Sequence, residues 1–195
     1  MMVAATKYTE AAILDVAAAE IATAGFQAAS VASIARALGA PNGSIYHRFA
    51  SKQHLIGALW VRTARRYAAS LSDALETTDL DQLPARIVNH AFDWVAGHPI
   101  EANLLMQFRT EDFNPADWPK EVVVEIDETN QALAAQLLGV AELHGIHPID
   151  MTLAAIDVPA TAARRAILSG AGAADEAHIR RRTTELAAHL ISASP

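Results

Sequence analysis

Between Ser30 and Lys52 the chain reads SVASIARALGAPNGSIYHRFASK. This run limits the possible folds more than any other part of the sequence. Val31, Ile34, Ala35 and Leu38 fall at helical spacing. Ser30 stands where a helix is capped and Gly39 where one stops. Ala40 to Asn42 make a tight turn, and a third short helix is expected from about Pro41 to Phe49. Two short helices joined by a glycine-containing turn form a helix-turn-helix. Upstream, Thr9 caps a helix whose apolar positions include Ile13, Leu14, Ala17, Ile21 and Ala24. Gly25 ends it, and Phe26 can fold back as a hydrophobic clasp. Downstream, Ser51 caps a long fourth helix that runs to about Leu75.

The rest of the chain extends the helical pattern. Hydrophobic residues make up 52% of the 195 positions and aromatics only 6%. Alanine is abundant and β-branched runs are short, which favours helices over sheet. Pro84 opens a fifth helix in which Arg86, Asn89, His90, Asp93 and Gly97 share a narrow arc and the remainder is apolar. A helix apolar over most of its circumference is surrounded by neighbours, so this one is expected at the centre of the body. His98-Pro99 breaks it, and a sixth helix covers about Pro99 to Arg109. A loop at Phe113 to Pro119 leads to a seventh, about Pro119 to Gly139. After a break at Gly145 to Pro148 comes an eighth, about Ile149 to Ser169, kinked at Pro159. A ninth spans about Ala173 to Ser192. The expected class is all-α, with a three-helix head at residues 1–52, a helical-bundle body at 53–195 and about nine helices.

Several function classes drop out. With no cysteine there is no disulfide scaffold, thiolate zinc site or cysteine nucleophile. No apolar stretch reaches the ~18 residues of a membrane span, and Met1 to Thr9 lacks an apolar signal core. A cytoplasmic protein without membrane contact is expected. No Ser/His/Asp constellation and no glycine-rich phosphate loop is recognisable, so no catalytic residue, cofactor or metal is assigned. His144 and His147 lie close, but Gly145 and Pro148 make that segment a loop surface rather than a metal site.

Charge is divided unevenly. The net charge is −7, yet residues 1–66 hold seven Lys/Arg against three Asp/Glu, while residues 67–195 hold eight against nineteen. A basic head on an acidic body keeps phosphate affinity local. In a helix-turn-helix the second helix of the motif enters the major groove and its N-terminal residues meet base edges. Asn42, Gly43 and Ser44 are small enough to allow close approach, and Tyr46, His47 and Arg48 follow with hydrogen-bonding tips. Lys52 begins the next helix, where its ammonium and the helix N-terminus can both face phosphate. Tyr46 is also compatible with half-buried packing. Ile34, Leu38, Ile45 and Phe49 belong to the small core.

These residues resemble the TetR family of bacterial regulators. The likeness rests on Ile34-Ala35, Leu38-Gly39, Ile45-Tyr46 with Phe49, Ser51-Lys52 and Leu55, with Gly25-Phe26 at the expected distance upstream. It covers about residues 9–60; beyond them it is one of layout. The resemblance implies base-edge positions for Asn42, Gly43, Ser44 and His47. It implies phosphate contacts for Tyr46, Arg48 and Lys52, and for Ser30 at the start of the second helix. Ala32 departs from the pattern: some members carry a guanine-reading arginine there, so specificity falls to the third helix and to DNA shape.

The resemblance further implies a body that binds a small molecule and dimerises through its last two helices. Trp60, Tyr67, Trp94, Met106, Phe108, Ile126 and Asn130 are candidates for the pocket, an apolar set with a few polar groups. Any of them can equally be ordinary core. Ile179, Leu186, Leu190 and Ile191 form a stripe on the ninth helix suited to a two-fold interface. The expected function is a ligand-responsive regulator, a repressor on palindromic double-stranded operator DNA, acting as a homodimer with a small-molecule effector. The alternatives are an all-α ligand carrier or enzyme with no DNA role, and a helix-turn-helix protein without a ligand.

Overall fold

A computed structural model describes residues 8–25, 28–107, 118–168 and 170–192. Phe26, Phe108 and most of the Phe113 to Pro119 loop lie outside the described residues. Among the described residues every regular element is helical. The elements are α1 (Glu10–Ala24), α2 (Val31–Leu38), α3 (Asn42–Tyr46), α4 (Lys52–Leu75), α5 (Leu83–Gly97), α6 (Pro99–Gln107) and α7 (Lys120–His144). They continue with α8 (Pro148–Thr152), a π-helical turn (Leu153–Asp157), α9 (Val158–Leu168) and α10 (Ala173–Ser192). None of these helices is long and apolar enough to cross a membrane. Contacts divide the chain into two compact units, residues 1–63 with 103–127 and residues 64–102 with 128–195.

In the first unit, Thr9 Oγ1 accepts the Ala12 N–H at 3.2 Å and starts α1. Gly39 closes α2 in the left-handed region, at φ 66° and ψ 30°, a conformation that costs glycine nothing in side-chain clash. Ile13, Leu14, Ala17 and Ile21 of α1 are buried, as are Val31, Ile34 and Ala35 of α2. Ile45 of α3, Phe49, and Leu55, Ile56 and Leu59 of α4 are buried with them. Arg62 on α4 donates to Asp15 on α1 at 2.8 Å. The third helix is shorter than the expected Pro41 to Phe49. The Ile45 carbonyl accepts from both Arg48 and Phe49 N–H at 2.9 Å, which tightens the chain after Tyr46 and carries Phe49 into the core.

In the second unit α5 is central, as its composition implied. Leu83, Ile87, Val88, Ala91, Phe92 and Val95 are buried, and α9 and α10 pack against it. Its polar residues have separate duties. Arg86 donates to the Ala74 carbonyl at 3.0 Å, the Glu76 carbonyl at 3.2 Å and the Asp73 carbonyl, so it closes the C-terminal end of α4. Asn89 and Asp93 accept from Arg180 of α10 at 3.1 and 3.2 Å. The same guanidinium lies 4.6 Å from the Phe92 ring centroid.

Two helix boundaries differ from expectation. α7 passes through Gly139 to His144. A helical glycine costs only about 1 kcal/mol, and Leu137 and Ala141, both buried, anchor the helix on either side of it. The stop comes at Gly145, φ 67°. The long helix expected from Ile149 starts at Pro148, capped by His147, whose Nδ1 accepts the Ile149 N–H at 3.3 Å. Ahead of Pro159 it widens into the π-helical turn, in which the Val158 N–H reaches the Leu153 carbonyl. Proline has no N–H to offer the Ala155 carbonyl and its ring would strike it, so the added residue per turn takes up the mismatch.

Gly57 is the glycine of the first unit at which a neighbour approaches most closely. A Cβ at this position would collide with Cγ1 of the buried Val122 on α7. Gly57→Ala is therefore expected to lower stability by roughly 1–3 kcal/mol through overpacking, despite its better helix propensity. Adding Val122→Ala should recover part of that loss. Thermal melts of the two variants check this; an unchanged or raised melting temperature for Gly57→Ala refutes it.

Candidate nucleic-acid interface

The candidate interface is built from the shortest helix of the first unit. α3 has no side-chain cap; Pro41 precedes it in extended conformation. The Ser44 N–H bonds to the Pro41 carbonyl at 2.9 Å and the His47 N–H to Gly43 at 3.0 Å. Ile45 is fully buried and Phe49 nearly so. The other side is open: Asn42, Gly43, Tyr46 and His47 are exposed, Tyr46 to 52%, while Ser44 and Arg48 are half-buried. Positions 42, 43, 46 and 47 recur at helical spacing, so they share one face. The Tyr46 side chain is not part of the core. Arg48 curls back, its Nη1 3.4 Å from the Ser44 carbonyl.

The flanks hold this helix in place. Ser30 and Ser33 form a reciprocal capping box at the start of α2, each side chain accepting the other's N–H at 3.0 Å. Tyr8 Oη donates to the Gly39 carbonyl at 2.8 Å, tying the segment before α1 to the turn before α3. At the start of α4 the His54 N–H bonds to Ser51 Oγ at 3.0 Å, and the Ala50 N–H reaches back to His54 Nδ1 at 3.3 Å. The His54 ring meets Phe49 edge-on, with centroids 5.7 Å apart. Neither Ser33 nor His54 was singled out by sequence reasoning, although both stand three residues after a capping serine. Lys52 is half-buried at the first position of α4, and burial lowers the pKa of its ammonium.

The residues expected to bind a ligand are divided. Trp60, Met106 and Ile126 lie in the first unit, Tyr67, Trp94 and Asn130 in the second. Trp60 and Ile126 are buried, Met106 half-buried. Tyr67 and Trp94 meet edge to face at 5.4 Å. Two histidines to which sequence reasoning gave no ligand role join them. His90 lies 5.2 Å from Tyr67, and His98 stacks on Trp94 at 4.2 Å. Their spacing, His90-Trp94-His98 in steps of four, was the available signal.

The proposed dimer stripe is also divided. Ile191 is buried within its own chain, whereas Leu186 is 46% exposed and Ile179 and Leu190 are half-buried. Ile179 and Leu186, with Val158 and Ala162 of α9, give the apolar surface of an open groove of about 580 Å³; Arg165 and Arg182 add charge to it.

The division of α3 into an open and a buried face has a direct consequence for stability. Tyr46→Ala should leave stability within ~0.5 kcal/mol of the parent, while Phe49→Ala should cost roughly 3–5 kcal/mol. Urea unfolding curves measure both; a Tyr46→Ala loss as large as that of Phe49→Ala would contradict the open face.

Residues 13–59 match the family model for bacterial regulatory proteins of the tetR family. No protein of curated function matches the sequence. Solved structures share the fold over almost the whole chain. A TetR family transcription regulator from Marinobacter aquaeolei VT8 superposes with a TM-score of 0.70 at 19% identity, covering 95% of each chain. A tetR family transcription regulator from Shewanella sp. PV-4 gives 0.68 at 21% identity, covering 91% of this chain and 94% of that one. The regulator FadR from Bacillus subtilis, solved with stearoyl-CoA, gives 0.68 at 17% identity, covering 92% and 96%. The head of this chain, residues 13–59, thus matches the family model of tetR-type bacterial regulatory proteins, and almost the whole chain shares the fold of solved tetR-family transcription regulators.

Proposed function

We propose that the chain is a ligand-responsive transcriptional repressor that binds a near-palindromic operator as a homodimer. The observation that carries the DNA-binding reading is the open face of α3, polar and exposed at Asn42, Gly43, Tyr46 and His47 while Ile45 and Phe49 hold the helix from behind. Asn42, Gly43, Ser44 and His47 read base edges in the major groove. Tyr46, Arg48 and Lys52, with Ser30 at the start of α2, hold phosphates and set the register. Ser30 is already engaged in its capping box, so its share is the smallest. Ala32, exposed but short, leaves specificity to α3 and to DNA shape.

Ile179, Leu186 and Leu190 of α10 and the groove beside them form the surface that meets a second copy; Ile191 supports them from inside. Two copies place two α3 helices about one helical turn of DNA apart, or a multiple of it. The effector acts on that spacing. α4 is one continuous helix, Lys52–Leu75, whose first part, to Thr63, belongs to the first unit and whose remainder belongs to the second. A small molecule bound in the second unit biases the head through it. FadR of Bacillus subtilis, with stearoyl-CoA bound, supports a ligand in kind but not its identity.

Lys52→Ala and Tyr46→Phe are expected to weaken binding to all DNA sequences alike, because phosphate contacts carry no sequence information. Asn42→Ala with Ser44→Ala should change the preferred sequence, each lost base contact being worth about 1–3 kcal/mol. Gel shifts with the region upstream of the chain's own gene, and selection from random duplexes, measure both. A double variant with unchanged selectivity removes the base-reading assignment.

For the assembly, Leu186→Glu should give monomers with weak operator binding. Sedimentation reads the state directly, and a parent protein that is monomeric at micromolar concentration rules out the dimer.

A further inference from the structure

Among the described residues, four buried side-chain polar atoms lack a hydrogen-bond partner, and three of them sit on rings that touch each other in the second unit. They are Tyr67 Oη on α4 and His90 Nδ1 and Trp94 Nε1 on α5. The ring centroids are 5.2 Å apart for Tyr67–His90, 5.4 Å for Tyr67–Trp94 and 6.4 Å for His90–Trp94. Buried polar groups left without a partner are costly, and native proteins rarely keep several together without a use. Phenylalanine would fill either aromatic site with no such penalty.

The donor and acceptor roles can be worked out. Ser70 Oγ lies 2.9 Å from the Tyr67 carbonyl and 2.8 Å from His90 Nε2. A serine hydroxyl has one proton, and the carbonyl can only accept it. The Ser70 oxygen therefore accepts from His90, which places the ring proton on Nε2 and leaves Nδ1 with a lone pair. Burial pushes the His90 pKa down against the opposing pull of Asp93 and Asp73, so the ring is neutral near pH 7. The cluster then offers two donors, Tyr67 O–H and Trp94 N–H, and one acceptor, His90 Nδ1.

A hydroxyl meets that set with a single oxygen atom, which accepts two hydrogen bonds and donates one. A ketone or ester accepts but leaves His90 Nδ1 unmet. A carboxylate does the same, and Asp73 and Asp93 oppose its charge. The surrounding rings suit an aromatic partner in edge-to-face or stacked contact. We infer that Tyr67, His90 and Trp94 anchor the hydroxyl of a neutral, phenol-like aromatic molecule. This rests on the ligand-responsive reading above and names the class of effector for it.

The test uses the full chain. Isothermal titration compares phenol and 2-naphthol with naphthalene and 2-naphthoate, on the parent and on Tyr67→Phe and Trp94→Phe. The hydroxylated probe should bind the parent about tenfold or more tightly than either comparator. Tyr67→Phe should lose most of that advantage, leave naphthalene binding unchanged and melt at a higher temperature without ligand, because an unpartnered buried hydroxyl has gone. Trp94→Phe should reduce the same preference. The inference is overturned if neither hydroxylated probe binds, or if naphthalene binds equally well. It is also overturned if Tyr67→Phe melts lower with no change in probe binding, the result expected for a hydroxyl that serves only a structural water. A gel shift run alongside separates the two readings: specific DNA binding that is indifferent to the probes sinks this inference alone, whereas absence of specific DNA binding sinks the regulator reading.

Discussion

The burial of Ile45 and Phe49 is the constraint on which the open face of α3 depends. α3 has five residues and no side-chain cap, far below the length at which a helix holds itself together in water. Its shape is imposed by its neighbours. Ile45 pins the middle of the helix to the core, and Phe49 pins the chain as it leaves. His54 packs on Phe49 while its backbone completes the cap of α4, so the end of one helix and the start of the next are fixed by the same side chains. The exposed residues are then free to be chosen for chemistry rather than for folding. A glycine at position 43 would weaken a helix that had to stand alone; here it leaves an open surface, and an added Cβ would meet nothing within 4 Å.

The second unit uses the opposite strategy. α5 is enclosed, and its few polar residues are each engaged by a neighbouring element. Arg86 closes the end of α4, and Arg180 lies over Phe92 while bonding Asn89 and Asp93. Exposed ion pairs of this kind contribute little individually, but they orient the helix they grip. Tyr67, His90 and Trp94 stand out because the surrounding arrangement meets polar demands so fully elsewhere. Burial drives the Tyr67 phenol pKa upward, so its hydroxyl stays a donor across the physiological range.

Much of this was legible in the sequence, for identifiable reasons. Local signals carry their own geometry: Thr9, Ser30, Ser51 and Gly39 mark helix ends through one or two hydrogen bonds or a single φ value, and the structure uses each of them so. The enclosed character of α5 was readable because the apolar arc is wide. What could not be read depends on partners distant in sequence. Gly139 resembled a stop until Leu137 and Ala141 proved to be buried around it. Pro159 announced a distortion, but whether it becomes a kink or a π-helical turn depends on what packs there. Ile191 was grouped with Leu186, yet it lies five residues on, about 140° around α10, which puts one inside and the other outside. On the polar arc of α5, His90 differs from Asn89 only in facing Tyr67 rather than Arg180.

The continuity of α4 gives these two strategies a common consequence. Lys52 begins the helix, and Tyr67 lies on it about four turns further on. Nothing in its sequence interrupts that stretch except Gly57, and there the close approach of Val122 takes the place of a side chain. Under the proposed function, this hydrogen-bonded backbone is the path from a ligand at Tyr67 to the head. Continuity of a helix supplies no energy by itself. A ligand moves the equilibrium only by the difference between its affinities for the two arrangements, and a typical allosteric coupling of ~1–3 kcal/mol is small beside a whole binding energy. Directional hydrogen bonds to a few fixed atoms are well suited to create that difference. They weaken steeply when donor and acceptor move out of line, whereas apolar contact with the surrounding rings changes little over the same displacement.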